Sequence, residues 1–164
     1  MTADRRDRTL WWALAALLLG TRLAALGDAR WTSEESWFFG RIVQFGDGSL
    51  TALGTPVSGT RGAHPGPWFF AALAPFSFLW SHPWAVAVGV ALLDTFGRLL
   101  ALFGIARLAG RRSAWCTGLF LALSPWALLY ADRPWNSNLV SLPVGLALWG
   151  LAHWWQKGSL RGLV

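Results

Sequence analysis

The chain has 164 residues, of which 54% are hydrophobic and 13% are charged, and its formal net charge is +6. A soluble domain carries roughly 25% charged residues, so the composition indicates an integral membrane protein. Most of the positive charge is arginine at the ends of apolar runs, which argues against nucleic-acid binding. The sequence has no Walker loop, no GxGxxG motif and no Cys/His metal-ligand pattern, and its single cysteine excludes an internal disulfide.

The first apolar run, residues 10–26, follows a basic segment and is long enough to span, because a span needs about 17–25 residues. A signal peptide has the same pattern, with residues 5–8 as its basic region. Arg22 within the run and the lack of an A-x-A cleavage site favour an anchor that is not cleaved. We expect Arg22 to extend its charged group towards the outer border, or to lie near a bound phosphate.

A polar cluster at residues 31–37 contains the acidic pair Glu34 and Glu35. Thr32 and Glu35 have the spacing of a capping box, in which the glutamate reaches back to the start of a helix. Apolar residues then recur at helical spacing up to Gly46. This pattern predicts a short amphipathic helix at the membrane surface, followed by a loop rich in Gly, Ser and Thr.

Residues 67–80 are apolar but too short for a span, because as a helix they would cover about 21 Å of a core about 30 Å thick. Pro75 in their middle predicts a kinked helix in the outer surface. The next run, residues 84–108, is long enough to span and contains Asp94 and Arg98 at i, i+4 spacing. Charges inside a membrane are functional candidates. This pair also neutralises itself, so we expect a structural role.

Two further spans are predicted at residues 114–130 and 139–155, and a polar segment joins them. Polar groups at the end of a span are costly unless they face water, a partner or a substrate. The segment therefore holds candidate substrate-binding residues, which are Asp132, Arg133, Asn136 and Asn138. Arg133 can grip a phosphate by paired hydrogen bonds. It can equally pair with Asp132 or with lipid headgroups.

Four spans place all three basic clusters on the cytoplasmic side, as the positive-inside rule requires. Both termini are then cytoplasmic, and residues 28–83 share the outer face with the polar segment at 130–138. The predicted fold class is all-α. It is a polytopic membrane helical bundle with about four transmembrane helices and two outer juxtamembrane helices, forming one membrane domain over residues 1–164.

The order of these features resembles the N-terminal part of the GT-C membrane glycosyltransferases. A span is followed by an acidic pair that opens a surface helix, a histidine–proline motif at His64, a second surface helix and a span that ends in basic residues. A Leu-Ser-Pro-Trp stretch and an Arg-x-x-Asn segment come next. Protein O-mannosyltransferases and lipid A aminoarabinose transferases share this order. The resemblance covers residues 5–155.

The resemblance implies transfer of a sugar from a polyprenyl-phosphate carrier to an acceptor on the outer face of the bilayer. The expected location is the inner (plasma) membrane of the bacterial cell envelope. The family usually has Asp-Glu where this chain has Glu34-Glu35, and its first acid resembles a catalytic base or an acceptor-orienting group. A role of the acidic pair in holding a divalent cation stays open. For Glu35 the capping role competes with a catalytic one.

The binding residues match the family less closely. His64 corresponds to a histidine that can bind phosphate, but Gly66 interrupts the family's proline motif, and His64 can equally line a turn. The family's second outer acid falls near Asn136 or Asn138, which are neutral, while Asp132 lies close in sequence. No certain cofactor is implied.

The family core also has more than four spans and usually a soluble outer domain. We therefore expect an incomplete module that depends on a further C-terminal portion or a partner subunit, and little activity of the chain alone. The alternative is a non-catalytic membrane protein, such as a transporter segment or an assembly subunit. A transporter is expected to have internal repeats or broken helices at the membrane midplane, and neither is evident in this sequence.

Overall fold

The computed structural model describes residues 5–26, 33–49, 68–80, 82–129 and 139–157. Within these ranges the chain is all-helical, so the predicted α class is confirmed for them. The helices are α1 (Arg5–Leu26), α2 (Ser33–Gly46), α3 (Trp68–Leu79), α4 (Pro83–Leu108), α5 (Arg111–Leu123), α6 (Pro125–Leu129) and α7 (Ser141–Lys157).

Two helices are long and apolar enough to cross a membrane, over Asp7–Leu26 and Pro83–Leu108. They coincide with the first and second predicted spans. At 1.5 Å per residue α4 is about 39 Å long, which exceeds a hydrocarbon core of about 30 Å. Its start is well defined, because Nδ1 of His82 accepts a hydrogen bond from the Trp84 amide at 3.2 Å and Pro83 occupies the first turn.

The predicted third span, residues 114–130, is not one continuous helix. α5 ends at Leu123 and α6 begins at Pro125, with Ser124 extended at φ −63° and ψ 122°. Proline disfavours the helical conformation in the residue before it, which accounts for the break. The predicted fourth span overlaps α7, which has 17 residues. The four-span arrangement stays a prediction.

α2 and α3 pack together on the N-terminal half of α4. Their shared core contains Phe38 and Ile42 of α2, Leu73 of α3, and Val86 and Val90 of α4. The helical periodicity predicted for α2 is therefore confirmed, but α3 covers its apolar face, which we had expected to rest on the membrane surface. α3 itself continues through Pro75 as one helix.

A second core lies between α1, α5 and the C-terminal half of α4. Leu14 and Leu18 of α1 are buried there against Leu102 of α4 and Ala122 of α5. Trp11 extends this core, and its ring centroid lies 4.6 Å from that of Phe103. The two cores occupy opposite halves of α4, which makes α4 the central helix of the described part.

Glycines allow α4 and α7 to approach backbone to backbone. A Cβ added to Gly97 would lie 2.5 Å from the Ser141 carbonyl carbon, and one added to Gly104 would lie 2.8 Å from the Leu148 carbonyl. A Cβ on Gly145 would collide with the Gly97 carbonyl. Gly145 therefore lies on the packing surface between α4 and α7, where small residues allow such contacts between helices.

Large apolar side chains cover much of the surface. Trp12 is 76% exposed, Leu79 82%, Phe120 70% and Trp155 72%. Soluble monomers rarely expose contiguous apolar patches of more than a few hundred Å². Large apolar residues therefore lie on the surface as well as in the two cores.

Candidate functional site

The predicted acidic pair lies in the first turn of α2. Glu35 is buried, with 1% of its surface exposed, although the sequence indicated a surface position. The Glu34 side chain and Thr32, the predicted capping residue, lie outside the described residues. The proposed capping contact is therefore not tested. The burial of Glu35 shows that this carboxylate belongs to the interior of the α2 region.

The predicted substrate-binding residues lie outside the described residues and stay predictions. They are His64, Asp132, Arg133, Asn136 and Asn138. The segment that contains the last four begins after α6 and ends directly before Leu139. Leu139 is fully buried and belongs to the core formed by α2, α3 and α4.

A buried ion cluster joins α1 to α4, and it is the most concentrated polar feature of the described part. Arg22 donates from Nε to Asp94 Oδ2 across a separation of 72 residues. Arg98 donates from Nε to Asp94 Oδ1 at 2.9 Å and to Oδ2 at 2.8 Å. The i, i+4 pair predicted within α4 is confirmed, and a second arginine completes it.

Arg22 is buried rather than extended towards a membrane border. Its side chain is 1% exposed, whereas that of Arg98 is 18% exposed. Sequence reasoning missed the contact between Arg22 and Asp94, because two charges 72 residues apart leave no local pattern. The only available signal was that Arg22 and Asp94 are opposite charges inside two predicted spans.

The ion cluster carries an excess positive charge, because it holds two guanidinium groups and one carboxylate. Nη1 and Nη2 of Arg22 are buried and have no hydrogen-bond partner in the described part of the chain. A buried charged donor without a partner is costly, since it loses water and gains nothing in return. Such a group is able to bind an anion, and paired hydrogen bonds from one guanidinium to a phosphate are the strongest form of this contact.

The ion cluster lies between the two apolar cores. Asp94 follows Val90 of one core by about one helical turn and precedes Leu102 of the other by about two turns. Its distance from the start of α4 is about 17 Å along the helix. Arg22 lies one turn before the end of α1. The cluster therefore lies near the middle of α4 and one turn from the C-terminal end of α1.

The surface of α2 carries a small groove of about 300 Å³, lined by Ser36, Trp37, Gly40, Arg41 and Gln44. The Arg41 guanidinium lies over the Trp37 ring, 5.0 Å from its centroid, which is a cation–π contact. This groove begins directly after the acidic pair. Among the described residues, no group of three or more His, Cys, Asp or Glu side chains is placed to hold a metal ion.

The fold and the ion cluster define an all-helical bundle with a buried cationic centre and two helices long enough to cross a membrane. Comparison with known proteins finds no matching family model, no matching curated protein and no matching solved structure.

Proposed function

We propose that the chain is a polytopic membrane protein with four spans and both termini in the cytoplasm. The exposed tryptophan, phenylalanine and leucine side chains support this placement, because hydrocarbon accepts them and water does not. Arg8 of α1, Arg107 of α4 and Arg111 of α5 line one cavity, so the basic ends of three helices lie together. The positive-inside rule then assigns that end to the cytoplasm.

We propose further that this chain is a GT-C-type glycosyltransferase module, or part of one, that uses a polyprenyl-phosphate sugar as donor. The observation that carries the proposal is the buried Arg22, whose two terminal nitrogens have no partner in the described residues. The donor brings an anionic phosphate attached to an apolar chain. A buried guanidinium near the outer end of α1 matches that phosphate, and the apolar exterior matches the chain.

Sugar transfer also needs an acceptor to be activated and a leaving group to be stabilised. The leaving group is the carrier phosphate, and its developing negative charge is stabilised by a fixed positive charge at that position. A carboxylate can remove the proton of an acceptor hydroxyl. Glu34 is the candidate base, because it lies in the first turn of α2 and occupies the place of the first acid of the GT-C family.

Donor binding tests the proposal without requiring turnover. Full-length chain in detergent is titrated with a synthetic polyprenyl-phosphate hexose, and binding is measured by native mass spectrometry. Arg22→Met should weaken binding at least about tenfold, because a charged hydrogen bond contributes about 1.5–3 kcal/mol. The matched control is Arg112→Met, which removes one exposed arginine of α5 and should bind normally. Equal binding of polyprenyl alcohol, which lacks the phosphate, would contradict the proposal.

The roles within the acidic pair are tested by sugar transfer in native membranes in which the variant replaces the natural chain. Glu34→Gln should lower transfer by about 10²-fold or more without loss of donor binding, the usual scale of general acid–base catalysis. Glu35 is buried, so Glu35→Gln should lower the thermal stability of the chain. Its transfer per folded molecule should fall less than that of Glu34→Gln. A normal rate of transfer by Glu34→Gln would show that Glu34 is not the catalytic base.

The alternative is a non-catalytic membrane protein, for which the mutual pairing of Asp94 and Arg98 is the specific supporting observation. On that view the ion cluster only joins α1 to α4. Absence of donor binding in the wild-type chain, with the fold intact, would favour this alternative.

A further inference from the structure

A cavity of about 840 Å³ opens at the end of the molecule opposite α2 and α3. α1 begins there, α4 ends there, α5 begins there and α7 ends there, with Gln156 of α7 at the edge. Neither the ion cluster nor the acidic pair contributes to its lining. This cavity is therefore distinct from the proposed transferase site.

The rim of the cavity is basic. Arg8, Arg107 and Arg111 line it together with a single acidic residue, Asp7. Asp7 is already engaged, because its Oδ1 lies 3.1 Å from Arg111 Nη1. Within the described part of the chain, Arg8 and Arg107 have no acidic partner. The rim thus offers two uncompensated guanidinium groups to an anion.

The wall of the cavity is apolar. Trp11 and Trp12 of α1 line it together with Leu99 and Phe103 of α4, and Ala15 lies about one turn beyond Trp11 along α1. Trp12 is 76% exposed and Phe103 is 41% exposed, so these rings are available for contact. Arg8 and Ala15 are seven residues apart, which places the apolar wall within about 10 Å of the basic rim.

We infer that this cavity binds an anionic phospholipid of the cytoplasmic leaflet. The headgroup phosphate accepts hydrogen bonds from Arg8 and Arg107, and one acyl chain lies along Trp12 and Phe103. Basic pockets between helices at the cytoplasmic side are suited to anionic headgroups. The inference goes beyond the proposed function: it requires the membrane placement but not the glycosyltransferase activity.

The combination of rim and wall selects a lipid over other anions. A free phosphate would use the two arginines but leave the indole and phenyl rings without a partner. A zwitterionic lipid would use the rings, but its headgroup cation would oppose Arg8 and Arg107. An anionic phospholipid satisfies both parts of the cavity at once.

Native mass spectrometry of the full-length chain tests the inference, with phosphatidylglycerol and phosphatidylcholine of identical acyl chains as probes. We expect phosphatidylglycerol to bind at least about tenfold more tightly, since it presents a net negative headgroup to the arginines. The double substitution Arg8→Gln and Arg107→Gln should reduce this preference to about twofold or less. Ala15→Phe fills the wall without changing any charge and should weaken both lipids.

Arg112→Gln is the matched control, because Arg112 is an exposed arginine next to Arg111 that does not line the cavity. It should keep the preference for phosphatidylglycerol, and an equal loss would overturn the inference in favour of unspecific attraction. Displacement of the lipid by inorganic phosphate alone would also overturn it. Arg22→Met, which is expected to weaken donor binding in the proposed function, should leave phosphatidylglycerol binding unchanged, so the two proposals fail separately.

Discussion

The ion cluster of Arg22, Asp94 and Arg98 leads to an asymmetric prediction for stability. Asp94→Asn keeps the shape of the side chain but leaves two arginines facing each other, one of them 1% exposed. Breaking a buried ion pair by removing one partner costs about 3–5 kcal/mol. Arg22→Met removes the excess charge instead, and Asp94 keeps both of its hydrogen bonds from Arg98. We expect the free energy of unfolding of Arg22→Met to lie within about 1 kcal/mol of that of the wild type.

The assay is unfolding of the purified full-length chain in mixed micelles by increasing SDS mole fraction, followed by tryptophan fluorescence. Asp94→Asn alone leaves two uncompensated positive charges, and the double variant with Arg22→Met removes one of them. The double variant should therefore recover at least about 2 kcal/mol of the unfolding free energy lost in Asp94→Asn. Arg112→Met, at an exposed position, should change stability by no more than about 0.5 kcal/mol. A loss for Arg22→Met as large as that for Asp94→Asn would refute the reasoning.

Two further predictions concern the packing and the orientation of the helices. Gly97→Leu should destabilise the fold by at least about 2 kcal/mol in the same assay, because its Cβ would lie 2.5 Å from the α7 backbone. A Cβ added at Gly20 has nothing within 4 Å, so Gly20→Ala should be neutral or stabilising by up to about 1 kcal/mol. A loss of stability equal to that of Gly97→Leu would contradict the packing argument. In a chain whose native cysteine is replaced by serine, Ser49→Cys should react with an impermeant maleimide in intact cells, and Ser113→Cys should react only after lysis. The reverse pattern would invert the proposed topology.

Local patterns predicted several helices of the described part of the chain closely. The apolar run at residues 84–108 became α4, and the periodic segment that ends at Gly46 became α2 with Ile42 fully buried. The break before Pro125 was visible in the sequence, but hydropathy alone treated residues 114–130 as one span. The residues on both sides of Pro125 are apolar, so a hydropathy profile does not reveal the change in backbone conformation at Ser124.

The candidate site was less predictable because it depends on tertiary contacts. The spacing of Asp94 and Arg98 indicated their pairing, since both lie on one helix face. The partnership with Arg22 and the burial of Glu35 depend on how separate helices pack, and no periodicity encodes that. The catalytic assignment of Glu34 and the binding assignment of His64 come from the resemblance and stay predictions.

The long sequence separation within the ion cluster has a consequence for biogenesis. Arg22 leaves the ribosome 72 residues before its counterion Asp94. Because the ribosome adds about 5–20 residues per second, Asp94 is synthesised roughly 4–14 s after Arg22. In the proposed membrane placement, the guanidinium must remain near water or lipid phosphate at the outer border during this interval. On that placement α1 first enters the bilayer with Arg22 at the interface, and Arg22 becomes buried only when α4 is available to pair with it.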